Sequence, residues 1–141
     1  LRIRKPSFQE FEANFSDIAY TNTFTKQKKL VQYILAKIDR TQSAGVHIDY
    51  ERMTIEHLAP QNPKGGVTAN WVGNLGNLIF VDEPTNNKLA NKDFAAKLKV
   101  LEKTSVFLDD KIKKCKSWSD AEIEARTKAL AKLAYEKVWK F

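Results

Sequence analysis

The chain has 141 residues and a formal net charge of +7, from 24 Lys and Arg against 17 Asp and Glu. This length fits one domain around one core, and no apolar run approaches the ~20 residues that a membrane-spanning helix needs. The single cysteine excludes an internal disulfide and any multi-cysteine zinc site, and it favours a reducing, cytoplasmic location. No leader with the features of a signal peptide is present, and because the sequence begins with Leu1 we expect a piece of a longer protein.

The charge is distributed unevenly along the chain. Residues 1–50 carry a net charge of +3, residues 51–91 carry −1, and residues 92–141 carry +5. A slightly acidic middle between basic flanks suits a polyanion that is held by the flanks, with a cation held in the middle. A lysine-rich, solvated surface would account for the same charges, so charge alone leaves both interpretations open.

The first half of the chain predicts two helices and then a change of periodicity. Apolar residues at steps of three and four predict a helix over residues 7–20, with Ser7 as its N-cap. The same spacing predicts a longer helix over residues 25–42, which we expect to end at Ala44-Gly45. Alternation of apolar and polar residues after Gly45 indicates one or two short strands before residue 58.

The second half predicts a loop, a strand and more helices. Prolines and glycines over residues 60–76 indicate a loop with little regular structure, and the LIFV run at 78–81 indicates a strand. A helix is expected to begin at Asn86 or Asn87 and to carry one apolar side, comprising Leu89, Phe94, Leu98 and Leu101. Residues 104–116 are expected to be a partly helical connection. The Ser119 to Glu122 capping box then opens the C-terminal helix.

Four polar residues stand at the ends of these elements in the middle of the chain. Glu56 and His57 close the first predicted strand, Asn77 precedes the second strand, and Asn86 lies near the following helix. Carboxylate and amide oxygens suit Mg²⁺ or Mn²⁺, and a neutral imidazole can take a proton from water near pH 7. Together they could form a phosphodiesterase centre with one metal ion. The same residue types also occupy turns and helix caps, which leaves a purely structural interpretation open.

Other common catalytic sites find no support in the sequence. With no second histidine near His57, there is no His-x-x-x-His zinc site. The Lys64-Gly65-Gly66 run has the wrong spacing for a phosphate-binding loop, and no helix is predicted directly after it. No Ser-His-acid triad can be selected from spacing alone.

The order and spacing of four motifs resemble one nuclease family. They are EHLAPQ at 56–61, LGNLIF at 75–80, N-x-x-L-x-N-x-x-F-x-x-K at 86–97, and W-S-x-x-x-I-x-x-R-x-x-x-L at 118–130. This pattern resembles the HNH (His-Me finger) nucleases, and in particular the C-terminal nuclease domain of GmrSD-type modification-dependent restriction proteins. The resemblance covers about residues 50–141 and is less specific over the first 45.

The resemblance implies an α+β fold in which a ββα-metal core is embedded in a mostly helical domain. His57 would be the general base, and Glu56 and Asn86 would bind one Mg²⁺ or Mn²⁺ ion. Asn77 would fix the loop and orient the histidine. The products would carry 5′-phosphate and 3′-hydroxyl ends. Glu56 stands where many HNH nucleases have Asp or His, and Asn87 and Asn91 could exchange roles with Asn86.

Candidate nucleic-acid contacts lie outside this set. Lys88 and Lys97 are expected to project from the helix after the second strand, where they could contact phosphates or be solvated. Arg126 could contact nucleic acid or hold its helix through a buried pairing, and the sequence does not separate these alternatives. We expect Trp71, Trp118 and Trp139 in the core, and His47 in a structural role. Trp71, in the Gly/Pro loop, could stack on a base.

We therefore expect residues 1–141 to form one nuclease domain. It would comprise a helical lead-in over 1–45, the ββα-metal core over 46–101 and a C-terminal helical region over 102–141. DNA, in a modified form for a restriction protein, is the expected partner, together with an upstream sensing domain of the same protein and with homodimerisation as a hypothesis. The rival hypotheses are a basic nucleic-acid-binding module without catalysis and a nuclease directed at RNA.

Overall fold

The computed structural model of the chain describes residues 4–43 and 49–140. Its helices are α1 to α6 and its strands are β1 and β2, each numbered in chain order. Their order is α1 Phe8–Asp17, α2 Lys28–Gln42, β1 Thr54–His57, β2 Leu78–Val81, α3 Glu83–Leu89, α4 Phe94–Leu101, α5 Asp110–Lys113 and α6 Asp120–Leu133. This arrangement of helices with a small antiparallel sheet confirms the predicted α+β class.

The two N-terminal helices form where the apolar periodicity predicted them. Ser7 caps α1 by accepting a hydrogen bond from the backbone N–H of Glu10 at 3.2 Å. The stripe on α2 buries side chains against β2 and the end of α6. The expected end of α2 at Ala44-Gly45 and the start of the region predicted to hold one or two strands, at residues 46–48, lie outside the described residues. The helix is described as ending at Gln42.

The sheet has two antiparallel strands that are connected by the long loop over residues 58–77. Glu56 pairs with Ile79, and His57 pairs with Leu78. All four residues of β2 are buried, and Leu78 and Phe80 face one core cluster while Ile79 and Val81 face the other. A strand covered on both faces accounts for the unbroken LIFV run, and it holds the end of β1 between two packed layers.

The helix predicted to begin at Asn86 or Asn87 is two helices, which corrects that expectation. Asp82 caps α3 by accepting from the Thr85 N–H at 2.8 Å, and α3 therefore begins at Glu83. Ala90 takes a left-handed φ of 46° and ends α3. Asp93 then caps α4 by accepting from the Ala96 N–H at 2.9 Å. The order strand, strand, helix is the expected one, while the assignment of a ββα-metal fold remains a prediction.

The C-terminal helix α6 is the element that organises the middle of the chain. Its capping box is formed, because the Glu122 carboxylate accepts from the Ser119 backbone N–H at 3.1 Å. Gly76 packs directly on α6, where an added Cβ would lie 2.2 Å from the Ile123 carbonyl oxygen. Close approach at this position therefore requires a glycine. In the described part of the chain, no helix has the length and hydropathy to cross a membrane.

Candidate active site

A polar cleft of about 270 Å³ lies at the end of β1, between the long loop and the helices α3 and α4. Glu56 and His57 come from the strand, Asn86 from α3 and Lys97 from α4. The remaining lining residues come from the loops on either side: Asn22, Ile55, Pro60, Gln61, Asn62, Ala90 and Asn91. The structure thus brings together three of the four predicted catalytic and metal-binding residues in one cleft.

The imidazole of His57 is held by one hydrogen bond at each ring nitrogen, donated by Nε2 and accepted by Nδ1. Its Nε2 lies 2.8 Å from the backbone carbonyl oxygen of Tyr20. A carbonyl oxygen can only accept, so Nε2 carries the proton and Nδ1 is the basic nitrogen. Nδ1 accepts a longer bond, of 3.3 Å, from the Gln61 side-chain amide, whose oxygen in turn accepts from the Asn22 N–H at 2.7 Å. The lone pair of Nδ1 is thereby directed toward Gln61 and the cleft.

The surroundings of His57 favour its neutral form. Burial lowers the pKa of His57 from its ordinary value of 6.5, and the Lys97 ammonium lowers it further. The hydrogen bond to the Tyr20 carbonyl opposes this effect. A histidine with a lowered pKa is unprotonated at neutral pH and is therefore able to accept a proton there.

Glu56 is buried, with 6% of its surface exposed, and its two carboxylate oxygens have different partners. Oε1 accepts from the Lys97 ammonium at 2.5 Å, and Oε2 accepts from the Asn86 amide nitrogen at 3.0 Å. Burial raises the pKa of the Glu56 carboxyl, while the bond and the positive charge from Lys97 act against the rise. Asn86, rather than Asn87 or Asn91, is the asparagine whose side chain reaches Glu56.

The position of Lys97 corrects the expectation that it projects from its helix, where it could contact phosphates or be solvated. Its side chain is fully buried, at 0% exposure, and its ammonium donates both to Glu56 and, at 2.6 Å, to the backbone carbonyl of His57. Phosphates on the protein surface are therefore out of its reach. Lys88 is exposed on α3 and stays a predicted contact.

Arg126 is likewise buried and has partners within the fold. Its Nε donates to the Asp109 carboxylate at 2.9 Å, and its NH1 donates to the backbone carbonyls of Gly76 and Leu78 at 3.0 and 2.9 Å. This geometry corresponds to the buried pairing that the sequence left open, and it does not fit the predicted contact with nucleic acid. Arg126 instead ties α6 to the start of β2.

Asn77 lies outside the cleft, and its side chain holds the loop that follows His57 through hydrogen bonds. Its side-chain oxygen accepts from the Ala59 N–H at 2.7 Å and from the Trp118 indole N–H at 3.0 Å. Its side-chain nitrogen donates to the carbonyls of Ala59 and Val72 at 3.0 and 2.8 Å. With 0% exposure and both amide atoms engaged, Asn77 has the geometry of a scaffold residue and not of a ligand.

The donor atoms of the cleft fit a hard cation of the Mg²⁺ type. If the side-chain amide of Asn86 were flipped, its oxygen would take the place of its nitrogen and would lie 3.0 Å from Glu56 Oε2. Neighbouring ligands of an octahedral Mg²⁺ ion are separated by about 2.9 Å. Among the described residues no group of three or more His, Cys, Asp or Glu side chains could hold an ion. Water and substrate oxygens would complete the shell, as is usual for Mg²⁺.

Two residues that support His57 were not singled out from the sequence. Gln61 lies inside the EHLAPQ motif, four residues after His57, and that spacing is the signal that could have identified it. Tyr20 acts through its backbone carbonyl, which leaves no mark in a sequence; its ring also lies 5.8 Å from the imidazole. The N-terminal segment, expected to be a helical lead-in, therefore contributes directly to the site.

Two of the three tryptophans lie in or against the core as expected, whereas the exposure of Trp71 corrects the expectation that it is a core residue. Trp118 is buried and stacks on Phe94 with 5.0 Å between ring centroids, and Trp139 packs against the core beside α1 and α2. Trp71 is exposed, and its backbone N–H donates to Asp120 at 2.8 Å. His47, for which we expected a structural role, lies outside the described residues.

Comparison with known families agrees with the motifs. A family model described as GmrSD restriction endonucleases, C-terminal domain, matches residues 5–133. No curated protein matches the chain significantly. The family match includes α1 and α2, over which the resemblance of the motifs was less specific, and it spans every residue of the cleft. The chain therefore belongs to the family of C-terminal domains of GmrSD restriction endonucleases.

Proposed function

We propose that this domain is the nuclease effector of a restriction protein and that it hydrolyses phosphodiester bonds of DNA with His57 as the general base. The observation that carries the proposal is the fixed tautomer of His57. Its Nε2–H is bound by the Tyr20 carbonyl, and its basic Nδ1 faces a cleft that also holds a carboxylate and an amide. Membership in the family suggests nuclease activity.

In the proposed reaction, His57 Nδ1 accepts a proton from the attacking water. The water oxygen forms a bond to phosphorus as the bond from phosphorus to the 3′ oxygen breaks, and the leaving oxygen takes a proton from solvent. Gln61 now donates to Nδ1 over a long 3.3 Å bond, in the position that the water would occupy. Because Nε2 stays bound to Tyr20, the ring cannot turn away when water replaces the Gln61 amide.

Glu56 and Asn86 are the residues that would hold one Mg²⁺ or Mn²⁺ ion. When bound, the ion would offset the negative charge that develops on the phosphate and on the departing 3′ oxygen. Glu56 would contribute Oε2, since Oε1 is engaged by Lys97. Asn86 would contribute its amide oxygen, which accepts no hydrogen bond from the described residues.

DNA is the proposed substrate because the family is one of restriction endonucleases and because the chain is strongly basic. Lys88, exposed on α3, is the proposed phosphate contact nearest in sequence to Asn86, and the exposed Trp71 could stack on a base. An upstream domain of the same protein would sense the modification. Because one centre cuts one strand at a time, we propose that two copies act together to make double-strand breaks.

The test is cleavage of supercoiled plasmid by the purified protein with Mg²⁺ or Mn²⁺, in parallel with EDTA. We expect nicking that needs the metal, is lost in His57→Ala and falls strongly in Glu56→Gln and Asn86→Ala. Asn87→Ala is the matched control, because Asn87 neighbours Asn86 on α3 but is exposed, and it should nick like the wild type. Circular dichroism establishes that each variant is folded.

The same assay separates the rivals. Nicking that survives in folded His57→Ala would contradict the assigned base. If the full-length protein leaves both DNA and RNA intact with metal present, yet retards DNA in gels, the domain is a binding module. Faster cleavage of RNA than of DNA of the same sequence would identify an RNA-directed nuclease.

A further inference from the structure

Lys97 combines complete burial with a position beside the residue proposed to bind metal. Its ammonium contacts one oxygen of Glu56 and the backbone carbonyl of His57. A buried ammonium is costly unless it is paired and hydrogen-bonded, and Lys97 meets both conditions through two adjacent residues of β1. No phosphate or solvent is needed to account for its position.

The formal charges that line the cleft cancel. Within the described residues, its lining contains one carboxylate, from Glu56, and one ammonium, from Lys97, and the other lining side chains are neutral. A protein site that binds a divalent ion on its own usually presents a net negative charge, with carboxylates as ligands. Here the attraction of Glu56 for an ion is opposed by a positive charge 2.5 Å from its Oε1.

We propose that Lys97 is an internal counter-cation that makes divalent metal binding depend on the substrate phosphate. This inference rests on the proposed function. Without nucleic acid, Lys97 neutralises Glu56, and the cleft binds the ion only weakly. When a DNA phosphate enters, its negative charge restores a net attraction and its oxygen supplies the ligand that the protein lacks.

The geometry lets Lys97 remain in place while the ion binds. It occupies only Oε1 of Glu56, whereas Oε2 faces Asn86. The bond to the His57 carbonyl holds the same end of β1, so that Lys97 fixes the proposed ligand and the base relative to each other. Lys97 is thus a positioning residue whose charge also sets the affinity of the site for metal.

The test measures Mn²⁺ binding by electron paramagnetic resonance in the absence of nucleic acid, independently of cleavage. We expect Lys97→Met to bind Mn²⁺ about tenfold or more tightly than the wild type, because it removes a positive charge beside the site, and to nick plasmid more slowly. Lys99→Met is the matched control, since Lys99 is exposed on the same helix, and it should leave Mn²⁺ affinity unchanged. Folded Lys97→Met with unchanged or weaker Mn²⁺ binding would overturn the proposal.

A second measurement keeps Lys97 intact and does not depend on the folding of Lys97→Met. In the His57→Ala protein, short duplex DNA should raise Mn²⁺ affinity about tenfold or more. Equal Mn²⁺ affinity with and without DNA, in a protein whose wild type nicks plasmid, overturns the coupling alone. If the protein shows neither Mn²⁺ binding nor metal-dependent nicking, both the proposed function and the coupling are overturned.

Discussion

Replacing Asn77 by alanine tests whether this side chain holds the loop that follows His57 in place. The substitution removes one acceptor and one donor atom that together make four hydrogen bonds. It would leave the N–H and carbonyl of Ala59, the Trp118 indole N–H and the Val72 carbonyl without this partner. Asn77 is completely buried, and Ala59 and Trp118 are buried as well, so most of these groups have no access to bulk water, while Val72 is half-buried.

The magnitude follows from the number of groups affected. A buried polar group that loses its partner costs about 1–3 kcal/mol, and a water that enters the vacated space restores part of the loss. We therefore expect Asn77→Ala to lower the free energy of unfolding by about 3–5 kcal/mol. This is a large fraction of the ~5–15 kcal/mol that stabilises an ordinary domain.

Urea denaturation followed by circular dichroism provides the measurement. With a denaturant slope of about 1–3 kcal/mol per molar urea, the midpoint should fall by roughly 2 M. Asn87→Ala, on the exposed side of α3, should change stability by no more than about 0.5 kcal/mol. If Asn77→Ala differs from the wild type by less than about 1 kcal/mol, Asn77 does not hold the loop as its hydrogen bonds indicate.

Three further substitutions probe the scaffold of the cleft. Gly76→Ala should destabilise the fold by about 3 kcal/mol and lower the melting temperature, because the added Cβ would lie 2.2 Å from the Ile123 carbonyl oxygen. An unchanged melting temperature would contradict this. Ala90→Gly should stabilise the fold by about 1 kcal/mol in the same assay, because the φ and ψ of residue 90, 46° and −129°, suit glycine. A lower melting temperature for this variant would refute that reasoning. Glu122→Ala should cost about 1 kcal/mol at pH 7. The Ser119 hydroxyl bond lowers the pKa of Glu122 below 4.5, so this stability is present above pH 4.5 and lost as pH falls through the folded pKa; a gap between wild type and variant that stays constant down to pH 3 would exclude the charged cap.

The elements that could be predicted from the sequence are those set by local chemistry. The apolar stripe of α2, the caps at Ser7 and Ser119 and the LIFV strand depend on residues a few positions apart. The division between α3 and α4 was missed, although Asp82 and Asp93 are N-cap residues of the kind already recognised in Ser119. The prediction gave more weight to apolar spacing than to these two caps.

The site was less predictable because its contacts join distant segments. Glu56, His57 and Asn86 could be selected from their motifs, but the partner of Nε2 is a backbone carbonyl 37 residues away. Lys97 was assigned to the surface, as is usual for lysine. Its spacing from Phe94 and Leu101 nevertheless places it on the buried face of α4, and Glu56 supplies the charge that makes burial possible.

The dependence of one imidazole on widely separated parts of the chain has a consequence during synthesis. Tyr20 leaves the ribosome early, Lys97 later, and Arg126, which holds the carbonyls on both sides of Asn77, later still. A nascent or prematurely terminated chain that ends before α6 contains every residue of the motif around His57 but lacks the contacts that shape it. A chain that ends before α6 is therefore expected to lack the proposed nuclease activity, because the carbonyls of Gly76 and Leu78 would have no Arg126 to hold them.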